Sequence, residues 1–300
     1  MPSVLDPEAL ARIANLHLRA RTVVEGVLSG LHKSPHRGQS VEFAEHKEYS
    51  PGDDVRHIDW KALGKFDKYY IKRFEHETNL RAYLVVDASA SMGFASGPLS
   101  KLAYASTVAA SLAVLLSRQQ DAVGLCVAHG ERLEFVPPRS SPAHVSAIAE
   151  LLSGEKPDGG TDLGSLARAL AEKAPRRALL LVFSDLFENG GVGSEGLRQL
   201  LQLRSLKDEI AVFQVLDPAE LDFPFEDPTL FLSMEDDRRL ETHPLQLRDG
   251  YLEAFGRFLE DTRRLCRERD VDYELLRTDE PLDRGIVRFL ARREGQTVAP

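Results

Sequence analysis

Residues 83–94 read Tyr-Leu-Val-Val-Asp-Ala-Ser-Ala-Ser-Met-Gly-Phe. The apolar run Tyr83 to Val86 is strand-like, and it ends in three oxygen donors at alternate positions, Asp87, Ser89 and Ser91. Alternate residues of extended chain point to one side. These three can therefore aim at a common point while Ala88 and Ala90 face the protein. Oxygen-only donors suit a hard cation such as Mg²⁺. On this stretch alone the simpler reading is that Ser89 or Ser91 caps the next helix, and the rest of the chain has to decide.

From position 81 onward, apolar strands and helical stretches alternate. Strands are expected over Ala82 to Asp87, Ala122 to Ala128, Leu179 to Asp185, Ile210 to Leu216 and Val271 to Leu276, with helices near 99–118, 142–152, 163–173 and 194–204. Strands separated by helices should be parallel. Arg132 to Val136 follows its predecessor after only His129-Gly130-Glu131, so it should be an antiparallel hairpin partner. The expected fold is α/β, a doubly wound and mainly parallel sheet of about six strands with one antiparallel strand. An insertion near 222–247 carries two short strands, Thr229 to Ser233 and Arg239 to Thr242. A long amphipathic helix through Tyr251, Phe255, Phe258 and Leu265 follows, then a last helix from Pro281 to about Arg293.

Residues 1–80 read differently from 81–300. A helix starts at Asp6-Pro7-Glu8 and its apolar pattern runs to Gly30. A small strand-containing subdomain over 34–80 surrounds Ser50-Pro51-Gly52-Asp53-Asp54, in which Pro51-Gly52 suits the centre of a type II turn. Asp53, Asp54 and Arg56 crowd opposite charges beside that turn. They form either an internal salt-bridge network or a docking surface.

A net charge of -9 argues against a nucleic-acid binder held by a general basic field. Cys126 and Cys266 have no CxxC partner, so neither a disulfide framework nor a zinc knuckle is expected. The first residues lack the basic flank and apolar block of a signal peptide, which with the cysteine usage points to the cytoplasm. The uncharged stretch Leu102 to Ser117 is too short to span a bilayer, so no membrane insertion is expected. Gly191 to Gly196 matches G-x-G-x-x-G, but a dinucleotide loop must follow its strand at once, and Leu186 to Gly190 intervene. No H-E-x-x-H, G-x-S-x-G or Walker pattern occurs, and His76 and His129 read as surface or turn residues.

In a doubly wound sheet ligands bind at the carboxyl ends of the strands, where strand order reverses. Two strands here end in Asp, at Asp87 and Asp185, and between them Asp158-Gly159-Gly160-Thr161-Asp162 leads into a helix. Three loops can thus bring Asp87, Ser89, Ser91, Thr161 and Asp185 to one rim. The ordered combination resembles the metal-ion-dependent adhesion site of the von Willebrand factor A fold. That resemblance implies Mg²⁺, or Mn²⁺ or Ca²⁺ in its place, held by the hydroxyls of Ser89, Ser91 and Thr161. Asp87 and Asp185 would act partly through water, and one position would stay open to a partner's carboxylate.

The segments Gly38 to Glu45, Tyr49 to Trp60, Ile71 to Glu75 and Leu276 to Leu282 narrow the resemblance. They are similar to the bacterial domain-of-unknown-function family number 58, which joins a Pro-Gly-Asp-Asp segment to a von Willebrand A-like domain. The genes of that family typically accompany MoxR-type AAA+ ATPases. The resemblance implies a non-enzymatic, metal-dependent interaction module, an adaptor or co-chaperone of such an ATPase that grips an acidic side chain of a client protein. Asp53, Asp54 and Arg56 would give the ATPase a second contact. The alternative is a hydrolase using the same metal, but the site offers no obvious general base: Asp162 is the only nearby candidate, and it is expected rather to orient the loop.

Overall fold

The computed structural model describes residues 7–33, 46–48, 70–72, 80–174, 177–188, 195–206, 208–235 and 238–297. By backbone contacts, Met1–Leu31 and Leu80–Pro300 form one unit and His32–Asn79 a second. In the second unit, strand β1 (His46–Glu48) pairs antiparallel with β2 (Tyr70–Lys72), with Lys47 opposite Ile71. Asp53, Asp54 and Arg56, with the whole Pro-Gly-Asp-Asp turn, lie outside the described residues, as do His76 and Gly191 to Ser194.

The large unit opens with two helices, α1 (Pro7–Ala11) and α2 (Leu16–Lys33), where the apolar periodicity predicts one. The break comes at Asn15, whose Oδ1 accepts the Leu18 backbone N–H at 2.9 Å and restarts the helix.

The sheet is built from β3 (Arg81–Asp87), β4 (Ala122–His129), β5 (Arg132–Arg139), β6 (Leu179–Ser184), β7 (Glu209–Leu216) and β10 (Asp272–Arg277). Its spatial order is β10-β7-β6-β3-β4-β5, parallel throughout except for β5, which runs antiparallel to β4. Burial on both faces explains why the inner strands read as unbroken apolar runs. Alternation along β3 divides the core. Leu84 and Val86 face a layer that includes Val23 of α2, Tyr104 of α3 (Lys101–Arg118), Ile148 of α4 (Pro142–Gly154) and Ile286 of α9 (Leu282–Thr297). Tyr83 and Val85 face the opposite layer, with Leu166 of α5 (Leu163–Lys173), Leu200 of α6 (Glu195–Gln202) and Phe258 of α8 (Pro244–Glu268). This is the doubly wound, mainly parallel arrangement with one antiparallel strand expected from the sequence.

After β7, Asp217 starts the short helix α7 (Pro218–Asp222) through a capping box with Glu220. Strands β8 (Thr229–Leu232) and β9 (Arg239–Thr242) then form the antiparallel insertion, with Phe231 opposite Leu240. Helix α8 begins at Pro244, seven residues before the Tyr251 at which its amphipathic pattern becomes legible. Proline suits the first turn of a helix, where its missing N–H has no partner to lose.

Candidate functional site

Strand β3 neighbours β6 on one side and β4 on the other, so chain order reverses between β3 and β6. The crevice beyond their carboxyl ends is where such a sheet receives ligands. Strand β3 ends on Asp87, and β6 ends on Ser184 with Asp185 next.

Asp87 is 3% exposed, and both of its oxygens are engaged. Oδ1 accepts the Ser89 backbone N–H at 2.9 Å, and Oδ2 accepts the hydroxyls of Ser184 at 2.6 Å and Thr161 at 3.2 Å. The Ser89 and Ser91 hydroxyls hydrogen-bond to each other at 3.1 Å. Ser89 stands at the start of a single 3₁₀ turn, Ala90–Gly93, yet its side chain makes no capping bond. The long helix α3 is capped instead by Ser100, which accepts the Ala103 N–H. The capping explanation for Ser89 is thereby set aside.

Thr161 arrives on the loop joining α4 to α5, and that loop is stitched to the one after β3. The Asp158 N–H donates to the Ala88 carbonyl, and the Ala90 N–H donates to the Gly159 carbonyl, both at 2.8 Å. Gly159 takes φ +72°, a left-handed conformation that costs a residue with a Cβ about 1–2 kcal/mol. The neighbouring Asp162 caps α5, accepting the Ser165 N–H and hydroxyl, each at 2.7 Å. Burial would raise the Asp162 pKa, but the bonds from Ser165 and the charge of Arg168 prevail and lower it. A carboxylate held in this way is a weak proton acceptor.

Asp185 is fully buried. Its Oδ1 accepts the Phe187 N–H at 3.0 Å, across a Leu186 held at φ +62°. Its Oδ2 accepts from Lys101, a residue absent from the expected set. Lys101 opens α3 with its side chain wholly buried, its Nζ 2.7 Å from Asp185 Oδ2 and 2.6 Å from Glu220 Oε1. The ammonium also sits 4.9 Å from the centre of the Phe187 ring. Burial works against the charge on Lys101, but Asp185 and then Glu220 more than offset it, and the pKa is raised. For Glu220 burial dominates over the attraction of Lys101, and its carboxyl is raised as well.

Two acids near one another in a dry place disfavour ionisation. Burial first, then the Asp185 carboxylate, push the Asp87 carboxyl up to about 6, against the bonds from Ser184 and Ser89.

The structure thus brings Asp87, Ser89, Ser91, Thr161 and Asp185 to one rim. Their donors are all oxygen, and three of the five are neutral hydroxyls. Among the described residues no group of three or more His, Cys, Asp or Glu side chains could hold a metal. Any cation centre here is therefore hydroxyl-rich, a donor set that fits a hard ion such as Mg²⁺ and leaves much of its charge uncompensated. Lys101, shared between Asp185 and Glu220, offsets part of the negative charge at this rim.

Sequence reasoning missed Lys101, Ser184 and Glu220. A signal existed for the first: Lys101 is the lone charge at the head of the uncharged stretch 102–117, at the same rim. His129, expected at the surface or in a turn, is buried at the end of β4, with Nε2 2.9 Å from Glu155 Oε2.

Residues 45–257 match the family described as "Protein of unknown function DUF58". An uncharacterized protein of Mycobacterium tuberculosis is 28% identical over 299 residues, covering 98% of this chain and 92% of that protein. Among solved structures, the conserved hypothetical protein BatB from Bacteroides thetaiotaomicron covers 72% of this chain and 99% of its own, at 14% identity and TM-score 0.42. A von Willebrand factor type A protein from Catenulispora acidiphila covers 72% of this chain and 43% of its own, at 13% identity and TM-score 0.42. Among the described residues no helix is long and apolar enough to cross a membrane.

Proposed function

We propose that this chain, which belongs to the DUF58 family over most of its length, is a non-enzymatic, Mg²⁺-dependent protein-interaction module. The observation that carries the reading is the convergence, at the switch point of the sheet, of the buried Asp87 carboxylate with the Thr161 hydroxyl that donates to it and the mutually bonded Ser89 and Ser91 hydroxyls beside it. The hydroxyls of Ser89, Ser91 and Thr161 would hold the ion, with Asp87 and Asp185 behind them. A cation with few charged ligands supplies an electrophilic position for an incoming carboxylate. Ser184 and the Ser89 N–H fix the Asp87 carboxylate, the stitched loop presents Thr161, and Lys101 and the Phe187 N–H orient Asp185. The engagement of Asp162 as a helix cap supports binding over hydrolysis.

By family resemblance, the proposed partners are a MoxR-type AAA+ ATPase and a client protein offering an acidic side chain. Asp53, Asp54 and Arg56 are proposed as a second contact for the ATPase.

Calorimetric titration of Mg²⁺ into wild type and Asp87→Ala tests the centre. Heat of binding should appear in the first and vanish in the second, with the circular dichroism spectrum retained. Equal Mg²⁺ affinity in the two proteins, or no binding to either, refutes the metal reading. Thr161→Ala should reduce Mg²⁺-dependent capture of partners more than it reduces thermal stability, and undiminished capture would remove Thr161 from the site.

A further inference from the structure

An apolar groove of about 330 Å³ opens beside the site and shares Ser91 with it. Its floor is a packed aromatic cluster. The Phe223 ring lies 4.4 Å from that of Tyr251 and 5.2 Å from that of Phe225, and Phe225 lies 5.2 Å from Phe231. Its wall on the sheet side is Phe187, whose backbone N–H holds Asp185 and whose ring covers Lys101. One residue thus serves both the rim carboxylate and the groove. Two bulky residues next to this junction, Leu186 at φ +62° and Phe223 at φ +45°, are held in the left-handed region. Strain of that kind persists where the surrounding packing over-determines a functional shape.

We infer that the groove receives a large apolar side chain, of phenylalanine size, that neighbours the acid in the same partner segment. The inference deepens the interaction reading above and rests on it. Continuity and charge select this occupant. Ser91 lines both the rim and the groove, so a partner segment that places a carboxylate at the rim can lay a flanking residue on the aromatic floor. Among the described residues that line the groove, the charged side chains are Glu220 and Glu235, and none is basic. No basic side chain in that lining draws a second partner acid, while an apolar ring loses water against apolar walls. The volume lies at the lower end of the roughly 300–1,000 Å³ found for ligand clefts, which suits one or two side chains and not a cofactor.

The test uses short blocked peptides with one Asp in a Gly-Ser background, each with or without a Phe at one of the neighbouring positions. Binding to the full chain is read by fluorescence anisotropy in Mg²⁺ and in EDTA. In Mg²⁺, at least one Phe position should tighten binding by about tenfold or more relative to the Phe-less parent. Phe225→Ser should return that peptide to the parent affinity. If that variant fails to fold, Met234→Glu serves instead, because Met234 is 46% exposed and adds an acid to the groove lip. Mg²⁺-dependent binding of Asp peptides with no gain from Phe at any position overturns the groove assignment and leaves the metal reading standing. Phe peptides that bind equally in EDTA overturn the coupling of groove to rim. Binding of no peptide in Mg²⁺ sinks both.

Discussion

Asp87→Asn is expected to make the metal-free protein more stable and the metal-bound protein less so. The carboxyl is raised from 3.8 to about 6 by burial and by Asp185. At about 1.36 kcal/mol per unit, keeping it ionised in the folded state costs roughly 3 kcal/mol. An acid whose folded value lies above its unfolded value takes up a proton on folding. Its penalty is therefore absent below about pH 4, grows between about pH 4 and 6, and is complete above that. Asparagine removes the charge but cannot accept at both positions. It keeps the bond from the Ser89 N–H and disturbs those from Ser184 and Thr161, a loss of about 1 kcal/mol. The net gain at neutral pH in EDTA should be about 2 kcal/mol. Magnesium reverses the order. Wild type gains about 2.7 kcal/mol at a hundredfold excess over Kd, and the variant gains nothing. Urea denaturation of both proteins, in EDTA and in Mg²⁺ across this pH range, reads every term. An Asn variant less stable than wild type in EDTA at neutral pH, or a difference that ignores pH, refutes the electrostatic account of the site.

Lys101→Met should destabilise by about 3–5 kcal/mol in denaturant titration, because it strands Asp185 and Glu220 without their buried cation. Stability equal to wild type would show that the acids do not depend on that ammonium. Gly159→Ala should cost about 1–2 kcal/mol and also weaken Mg²⁺ binding, since the left-handed turn at φ +72° delivers Thr161. A variant with lower stability but wild-type Mg²⁺ affinity would separate the loop from the site. Cys126 and Cys266 are buried, and burial pushes both thiols up to about 12. Their reaction with a thiol reagent should follow global unfolding, and fast labelling of native protein would contradict the packing described.

The directions of the sheet strands were legible because strands separated by helices run parallel and a three-residue link makes a hairpin, whereas their spatial order came only from the structure. Asp87 and Asp185 were legible because they stand at the ends of apolar strands, but the extended alternation expected through Ser91 stops at Ser89, where the 3₁₀ turn Ala90–Gly93 begins. What escaped was set by contacts far apart in sequence. Lys101 reads as an ordinary first-turn residue until β6 and α7 bring Asp185 and Glu220 against it. Ser184 looks like a strand residue beside a more eye-catching Asp, and only the pairing of β6 with β3 turns its hydroxyl onto Asp87. The break at Asn15 was hidden because the apolar stripe resumes in phase after the interruption. The aromatic groove was invisible for a related reason: its rings come from the strand end at Phe187, the insertion and α8, each of which reads alone as ordinary core.

The position of β3 in the sheet has a consequence for synthesis on the ribosome. It is the first sheet strand to be made and ends up innermost, flanked by β4 and β6. Its β4 flank can be filled soon after it emerges, but β6 follows only roughly ninety residues after Asp87, about 5–20 s at ordinary elongation rates. Throughout that interval the apolar edge Leu84-Val85-Val86 lacks its second neighbour and offers open backbone groups to any other strand. Slower translation between α3 and β6 should therefore increase aggregation of nascent chains, whereas a pause after β6 should not.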